Sequence, residues 1–260
     1  MRPVALTIAG SDPSGGAGLQ ADLKTFHQHG VYGMSVVTLL TVQNTTGVTR
    51  VEALSAELVS QQLEAVLSDI VPGAAKSGAL GSTELVEWLA DRAKRFTFPL
   101  VVDPVMISKH GHPLLDDSAR QAMISQLIPV TNLLTPNTHE ASALTGRRVE
   151  TLAQARDAAK ALAQLGAKSV LVKGGHLEGA PIDVLWHDGV LTELAAERIA
   201  TAHTHGTGCT LSSAITAHLA AGRHLVDAVE RSKRWLTEAL RSAPGLGRGV
   251  GPLNHFAPVD

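Results

Sequence analysis

Short apolar runs closed by glycine-rich turns alternate with amphipathic stretches along nearly the whole chain, and that alternation limits the fold more than any other feature. "VALTIA" precedes the turn "GSDPSGGAG" (residues 10–18), after which Leu19, Leu23 and Phe26 recur at helical spacing to about His29. Gly30 stands where a helix C-terminal glycine belongs. "MSVVTLL" (34–40) reads as a second strand, and Ser55 opens a helix whose apolar stripe runs from Leu58 to Ile70. "GAAKSG", "PLVVDPV", "NLLT" and "KSVLVKGG" are further strand candidates, separated by helical patterns over 82–95, 117–127 and 151–165. Thr151 and Gln154 have the spacing of a capping box. Asp188-Gly189, inside extended runs, signals a hairpin, and helices are expected again at 207–221 and 225–240.

Strands alternating with helices predict an α/β fold: a central, mostly parallel sheet covered on both faces, with an antiparallel addition near residues 183–200. No linker, repeat or low-complexity stretch divides the 260 residues, so one domain is expected. Right-handed crossovers bring the strand-to-helix turns to one edge of such a sheet, where ligands bind. Six turns follow strand-like runs and are predicted to share a crevice: "GSDPSGGAG", "TVQNTTG", "DPVMISKHGHP", "TPNTHE", "KGGH" and "THGTGC".

Composition removes several classes of partner. A net charge of −2 announces no surface for a polyanion, so nucleic acid is not expected. No apolar stretch approaches the roughly 20 residues a membrane helix needs. Cys209 is the single cysteine, which excludes an intrachain disulfide and fits a reducing cytoplasm.

The opening turn lacks the lysine of a P-loop. As a dinucleotide fingerprint, Gly16-x-Gly18 followed by Ala21 is incomplete, because no acidic residue closes the second strand. "THGTGC" is stronger: Gly206 and Gly208 bracket Thr207 directly before a clear helix, and free amides there make an anion site. Such a site suits the charge that develops on a transferring phosphoryl group. Cys209 falls in the first turn, where the helix dipole favours a thiolate; a glycine-capped helix with an inert cysteine is the plainer reading. Asn137 and Glu140, three apart, either share a face that can hold hydrated Mg²⁺ or form a capping box. Asp103 and Lys173 each end an apolar strand, where a charge is costly unless it meets a cavity or a partner. His110 and His112, like His203 and His205, have an H-x-H spacing that can ligate zinc, but no second cysteine accompanies them.

"TIAGSDPSGGAGLQADLKTF", "TVQNTTGV", "DPVM", "KHGHPLL", "TPNTHEA", "VLVKGGH", "THGTGCTLSSA" and the closing "GVGPLNHF" occur in the order seen in hydroxymethylpyrimidine/phosphomethylpyrimidine kinases. The chain resembles that family, part of the ribokinase-like superfamily, over essentially its whole length. The resemblance implies a three-layer α/β/α domain using ATP and Mg²⁺. It would phosphorylate 4-amino-5-hydroxymethyl-2-methylpyrimidine and then its monophosphate, for thiamine biosynthesis. Carried over by position, Gly10, Asp22, Gln43 and Lys109 would bind the pyrimidine, with Lys109–Pro113 as a flap. The amides of Gly206, Thr207, Gly208 and Cys209 would form the anion hole, with the Cys209 thiol as base. Lys173, Asn137 and Glu140 would serve ATP, and Asp103 and Glu140 would serve Mg²⁺, directly or through water. A homodimer is implied as well. One departure is "KSGAL", where relatives carry a larger apolar pair after the lysine; Ser77 and Ala79 would leave more room beside the substrate ring. A pyridoxal kinase is the nearest alternative, and a non-catalytic pyrimidine-binding protein a more distant one.

Overall fold

The computed structural model of the chain describes residues 2–106 and 114–259. Lys109 and the rest of the expected flap, with His110 and His112, lie outside the described residues. The chain starts with β1 (Val4–Ser11), α1 (Gly18–Gln28), β2 (Tyr32–Asn44), β3 (Gly47–Ala53), α2 (Ala56–Leu67), β4 (Ala74–Ser77), α3 (Thr83–Ala93) and β5 (Leu100–Val102). It continues through α4 (Asp117–Ala122), β6 (Leu133–Leu134), α5 (Thr138–Thr145), α6 (Leu152–Gln164) and β7 (Ser169–Val172). β8 (Asp183–His187), β9 (Val190–Leu194), α7 (Thr207–Ala220) and α8 (Leu225–Arg241) complete it.

Among the described residues nine strands form one sheet in the order β3-β2-β1-β4-β5-β6-β7-β8-β9. The pairs from β2 to β7 are parallel, and β3, β8 and β9 join antiparallel at the two ends. The expected addition near 183–200 is the β8–β9 hairpin, turned at Asp188 and Gly189 with φ of 48° and 81°. The other antiparallel edge was not anticipated: "TVQNTTGV" is no loop, but the end of β2, a tight turn and the start of β3.

Period-two alternation divides the strand side chains between two cores. Leu100, Val102, Leu134, Val170 and Val172 face α2 to α6, while Val101, Leu133 and Leu171 face α7 and α8. Phe26 and Val31 extend the second face beneath α1. The result is the three-layer α/β/α sandwich, and most helix starts match their sequence signals. Ser55 and Ser82 accept from Leu58 and Leu85 amides, and Thr151 with Gln154 closes its capping box. Over 117–127, one regular helix was expected; α4 instead stops at Ala122 and the backbone widens into a π turn over Met123–Leu127.

Candidate active site

The C-terminal ends of the parallel strands surround a cleft of about 770 Å³. Each of the six turns marked by the sequence contributes to its wall, through Gly10, Gln43, Asp103, Asn137, Lys173 and Gly206 among others. Gln43 reaches it from β2, whose inner residues Leu39, Thr41 and Gln43 line the cleft while Leu40 and Val42 point out to solvent.

The opening glycine turn packs directly against the second glycine cluster. Asp12, at 1 % exposure, gathers both. Its Oδ1 accepts from the Ser14 amide and hydroxyl (2.8 and 2.7 Å), and its Oδ2 from the Gly16 and Ala17 amides (3.1 and 2.8 Å). His205 Nε2 meets the same Oδ2 at 2.8 Å. Burial would raise the Asp12 carboxyl, but His205 and Ser14 hold it below its ordinary value. Gly206, at φ 77°, then lies so close to the Gly16 carbonyl that any Cβ would collide with it. Only glycine fits such a left-handed close approach.

Gly206 is the N-cap of α7, so no side chain caps this helix. Among the described residues the amides of Gly208 and Cys209 have no acceptor, and they stand at the positive end of a 14-residue helix. A Cβ on Gly208 would sit 3.0 Å from Lys173 Nζ and 3.6 Å from Asp103 Oδ2, so glycine lets the helix start approach both charges.

Lys173 Nζ lies 2.7 Å from Asp103 Oδ1 and 3.9 Å from Glu140 Oε2. Thr135 Oγ1 donates to Asp103 at 3.3 Å. Asn137 and Glu140 do form the capping box of α5: Asn137 Oδ1 accepts the Glu140 amide (2.9 Å) and Glu140 Oε2 the Asn137 amide (2.7 Å). Both also line the cleft. Burial pushes the Glu140 carboxyl up to about 7; Lys173 opposes this and the Asp103 charge adds to it. Burial would depress the Lys173 ammonium, yet Asp103 and Glu140 reverse that and raise it.

Two expectations are corrected. Asp22 does not reach the cleft: it is fully buried, and Lys76 Nζ (2.9 and 2.8 Å), Thr7 Oγ1 (2.6 Å) and Ser213 Oγ (2.6 Å) occupy its oxygens. Its charge neutralises Lys76, which itself lines the cleft. Burial would lower the Lys76 ammonium, but Asp22 above all, then Cys209 and Asp103, raise it. Nor does the helix dipole leave Cys209 a thiolate. Burial pushes its thiol up to about 11, Lys76 and the Gly18 amide pulling down while Asp103 and Asp22 push further up. Of the two small residues after Lys76, Ala79 lines the cleft, whereas Ser77 is fully buried and does not.

Sequence reasoning passed over several cleft residues. Lys76 is a charge inside the short buried strand β4, and that signal was available. Asp12, between Gly10 and Gly15, was readable as a turn-former only. Arg198 had no local signal: its guanidinium donates to the carbonyls of Gly175, Leu177 and Gly179 (3.0, 2.6 and 2.9 Å), bracing the loop after β7. Asp183 and Lys233 pair at 2.6 Å, and the Asp183 carboxylate also accepts the Gly174 amide (2.8 Å).

A family model described as phosphomethylpyrimidine kinase matches residues 12–254. A hydroxymethylpyrimidine/phosphomethylpyrimidine kinase of Rhizobium meliloti is 49% identical over 261 residues, covering 98% of this chain and 98% of its own. A thiamine biosynthesis bifunctional protein of Geobacter sulfurreducens is 45% identical over 98% of this chain and 52% of its own length. Among solved structures, an ADP complex of Bacillus subtilis pyridoxal kinase superposes with a TM-score of 0.91 at 36% identity, covering 99% of this chain and 98% of that one.

Proposed function

The chain belongs to the phosphomethylpyrimidine kinase family, and on that premise we propose how its cleft carries out the two transfers. The kinase moves a phosphoryl group from ATP to the hydroxymethyl oxygen of 4-amino-5-hydroxymethyl-2-methylpyrimidine. It then moves a second, from another ATP, to the monophosphate, for thiamine biosynthesis. One observation carries the assignment of roles: the uncapped start of α7, with acceptor-free amides at Gly208 and Cys209, opens beside Lys173.

Transfer passes through a loose, charge-rich transition state, so the protein's task is positioning and electrostatic stabilisation. The amides from Gly206 to Cys209 take the charge on the moving phosphoryl group, and Lys173 neutralises the nucleotide phosphates. Gln43 binds the pyrimidine, its amide donating to a ring nitrogen and accepting from the exocyclic amine; Gly10 forms the floor beside it. With its thiol near 11, Cys209 is neutral at pH 7. It therefore acts as base only through its minor thiolate form, which the Lys76 ammonium favours; that thiolate takes the hydroxymethyl proton as the oxygen-to-phosphorus bond forms and becomes the thiol.

Mg²⁺ fits the donor set. It favours one or two carboxylates together with water and substrate phosphates, and Asp103 and Glu140 supply the carboxylates. The mutual repulsion that helps hold Glu140 near 7 is what a divalent cation relieves. Among the described residues no group of three or more His, Cys, Asp or Glu side chains could hold a metal alone, so phosphates and water would complete its shell. Bound there, the ion screens phosphate charge. No helix among the described residues is long and apolar enough to cross a membrane. We read the chain as a cytoplasmic homodimer, for which Leu40 and Val42, exposed side by side near the end of β2, offer an apolar patch.

Pyridoxal kinase is the second reading, favoured by the likeness to the Bacillus enzyme and by the small Ala79 in the cleft wall. Mass spectrometry after incubation with ATP, Mg²⁺ and either alcohol separates the two. Two successive phosphate additions to the pyrimidine are expected. A kcat/KM favouring pyridoxal, with a single addition, would overturn the first reading, and binding without turnover would make the chain a sensor.

A further inference from the structure

The segment after α8 runs as "GLGRGVGPLNHF" (residues 245–256), with glycine at 245, 247, 249 and 251. It links the turn just beyond Gln43 with the residue just before Gly206. The Val250 amide donates to the Thr45 carbonyl (2.8 Å), and the Gly249 amide to Thr45 Oγ1 (3.3 Å). Thr45 forms the turn between β2 and β3, two residues beyond Gln43. Further along, the Gly251 carbonyl accepts the His205 amide (3.0 Å), and Pro252 pairs with His205 in an isolated bridge. His205 immediately precedes Gly206.

The glycines make this close lacing possible. A Cβ on Gly249 would collide with the Thr45 carbonyl oxygen and press on the Thr46 Cα, both backbone atoms with no rotamer to yield. One on Gly251 would meet His203 Nδ1 and the Leu246 carbonyl. Beyond the crossing, the strap is firmly anchored. The Asn254 amide donates to the Ala239 carbonyl (2.9 Å), while Trp235 Nε1 and Gln28 Nε2 both donate to the Ala257 carbonyl (3.0 and 2.8 Å). Leu253 and Ala257 are buried in the core beside α8.

We propose that Gly249 and Thr45 are positioning residues: through them the C-terminal strap fixes how far the Gln43 end of β2 stands from the amides at the start of α7. That spacing sets where the acceptor oxygen lies relative to the phosphoryl group, and misplacement by about an ångström costs transfer steeply. The inference rests on the reading that Gln43 binds the acceptor. Gly249 and Thr45 meet at the Gln43 end of the strap, away from the His205–Pro252 bridge beside α7, so their substitution acts on the acceptor side.

The test uses the full-length enzyme bearing Gly249→Ala, which displaces the turn, and Thr45→Gly, which loosens the turn at a half-exposed surface position. Kinetics with varied hydroxymethylpyrimidine and ATP are combined with calorimetric titration of ADP. The expected result is a tenfold or greater rise in pyrimidine KM for Gly249→Ala and about threefold for Thr45→Gly, with ADP affinity within twofold of wild type. Wild-type pyrimidine KM in both, or ADP affinity falling in parallel, would overturn the proposal. If Gly249→Ala does not fold, Thr45→Gly decides alone. A wild-type enzyme that leaves the pyrimidine unphosphorylated would instead sink the acceptor assignment, which is a distinguishable failure.

Discussion

Cys209 and Lys76 share one charge environment and respond to it in opposite senses: burial drives the thiol to about 11, and Asp22 keeps the ammonium charged. Only the thiolate form of Cys209 accepts the alcohol proton, and a serine hydroxyl ionises far less readily, so Cys209→Ser is expected to lower kcat at least tenfold while the melting temperature stays within a few degrees. A wild-type rate in that variant would remove the base. Gln43→Ala should raise the pyrimidine KM about tenfold, roughly 1.4 kcal/mol, and leave the KM for ATP unchanged; equal effects on both would take Gln43 out of the acceptor site. Asp103 and Lys173 were legible at this scale because a charge closing an apolar strand has to find a cavity or a partner, and here they find both. Asp22 was not legible. Its place in the α1 pattern says that it faces inward, but nothing in the local sequence says that Lys76, 54 residues on, will consume its charge.

At the level of elements, α5 shows a cap doing two jobs. Asn137 and Glu140 satisfy each other's amides and at the same time present oxygen to Lys173 and the cleft. Asn137→Ala should cost about 1 kcal/mol, lowering the melting temperature by roughly 2–4 °C. Asn137→Asp should restore most of that loss, and calorimetry of the two variants checks the pair. Helix starts were readable because Ser, Thr and Asn caps are local chemistry. The extent of β2 was not readable, for a physical reason. Beyond Thr38 its inner face turns polar, with Thr41 and Gln43 on the cleft, while Leu40 and Val42 face solvent. The usual rule of apolar inside and polar outside is inverted where a strand leaves the core to line a site, so the pattern fades just where the function begins.

Across the whole molecule, acid should act through histidines that do not line the cleft. Burial, with His29 and Arg223 adding, pushes His218 down to about 4, and burial does the same to His255. An unfolded histidine titrates near 6.5, so between pH 6.5 and 4 the unfolded chain binds protons that the folded chain refuses. Stability therefore falls as pH drops through 6.5 and keeps falling to about 4. Replacing His218 with glutamine should flatten the melting temperature over that window; an unchanged slope would assign the loss to other groups. The three-layer architecture was legible because alternation and crossover handedness leave few arrangements. The pairing of residues 12 and 205, or of 16 with 252, was not, since contacts between distant stretches leave no periodic trace. Those same contacts order events in time. A chain emerging from the ribosome exposes the glycine turn of residues 10–18 long before His205 and Pro252, the groups that seat it. Nascent protein can build much of the sheet beforehand, but the cleft lacks the seat of that turn until His205 and Pro252 have been made.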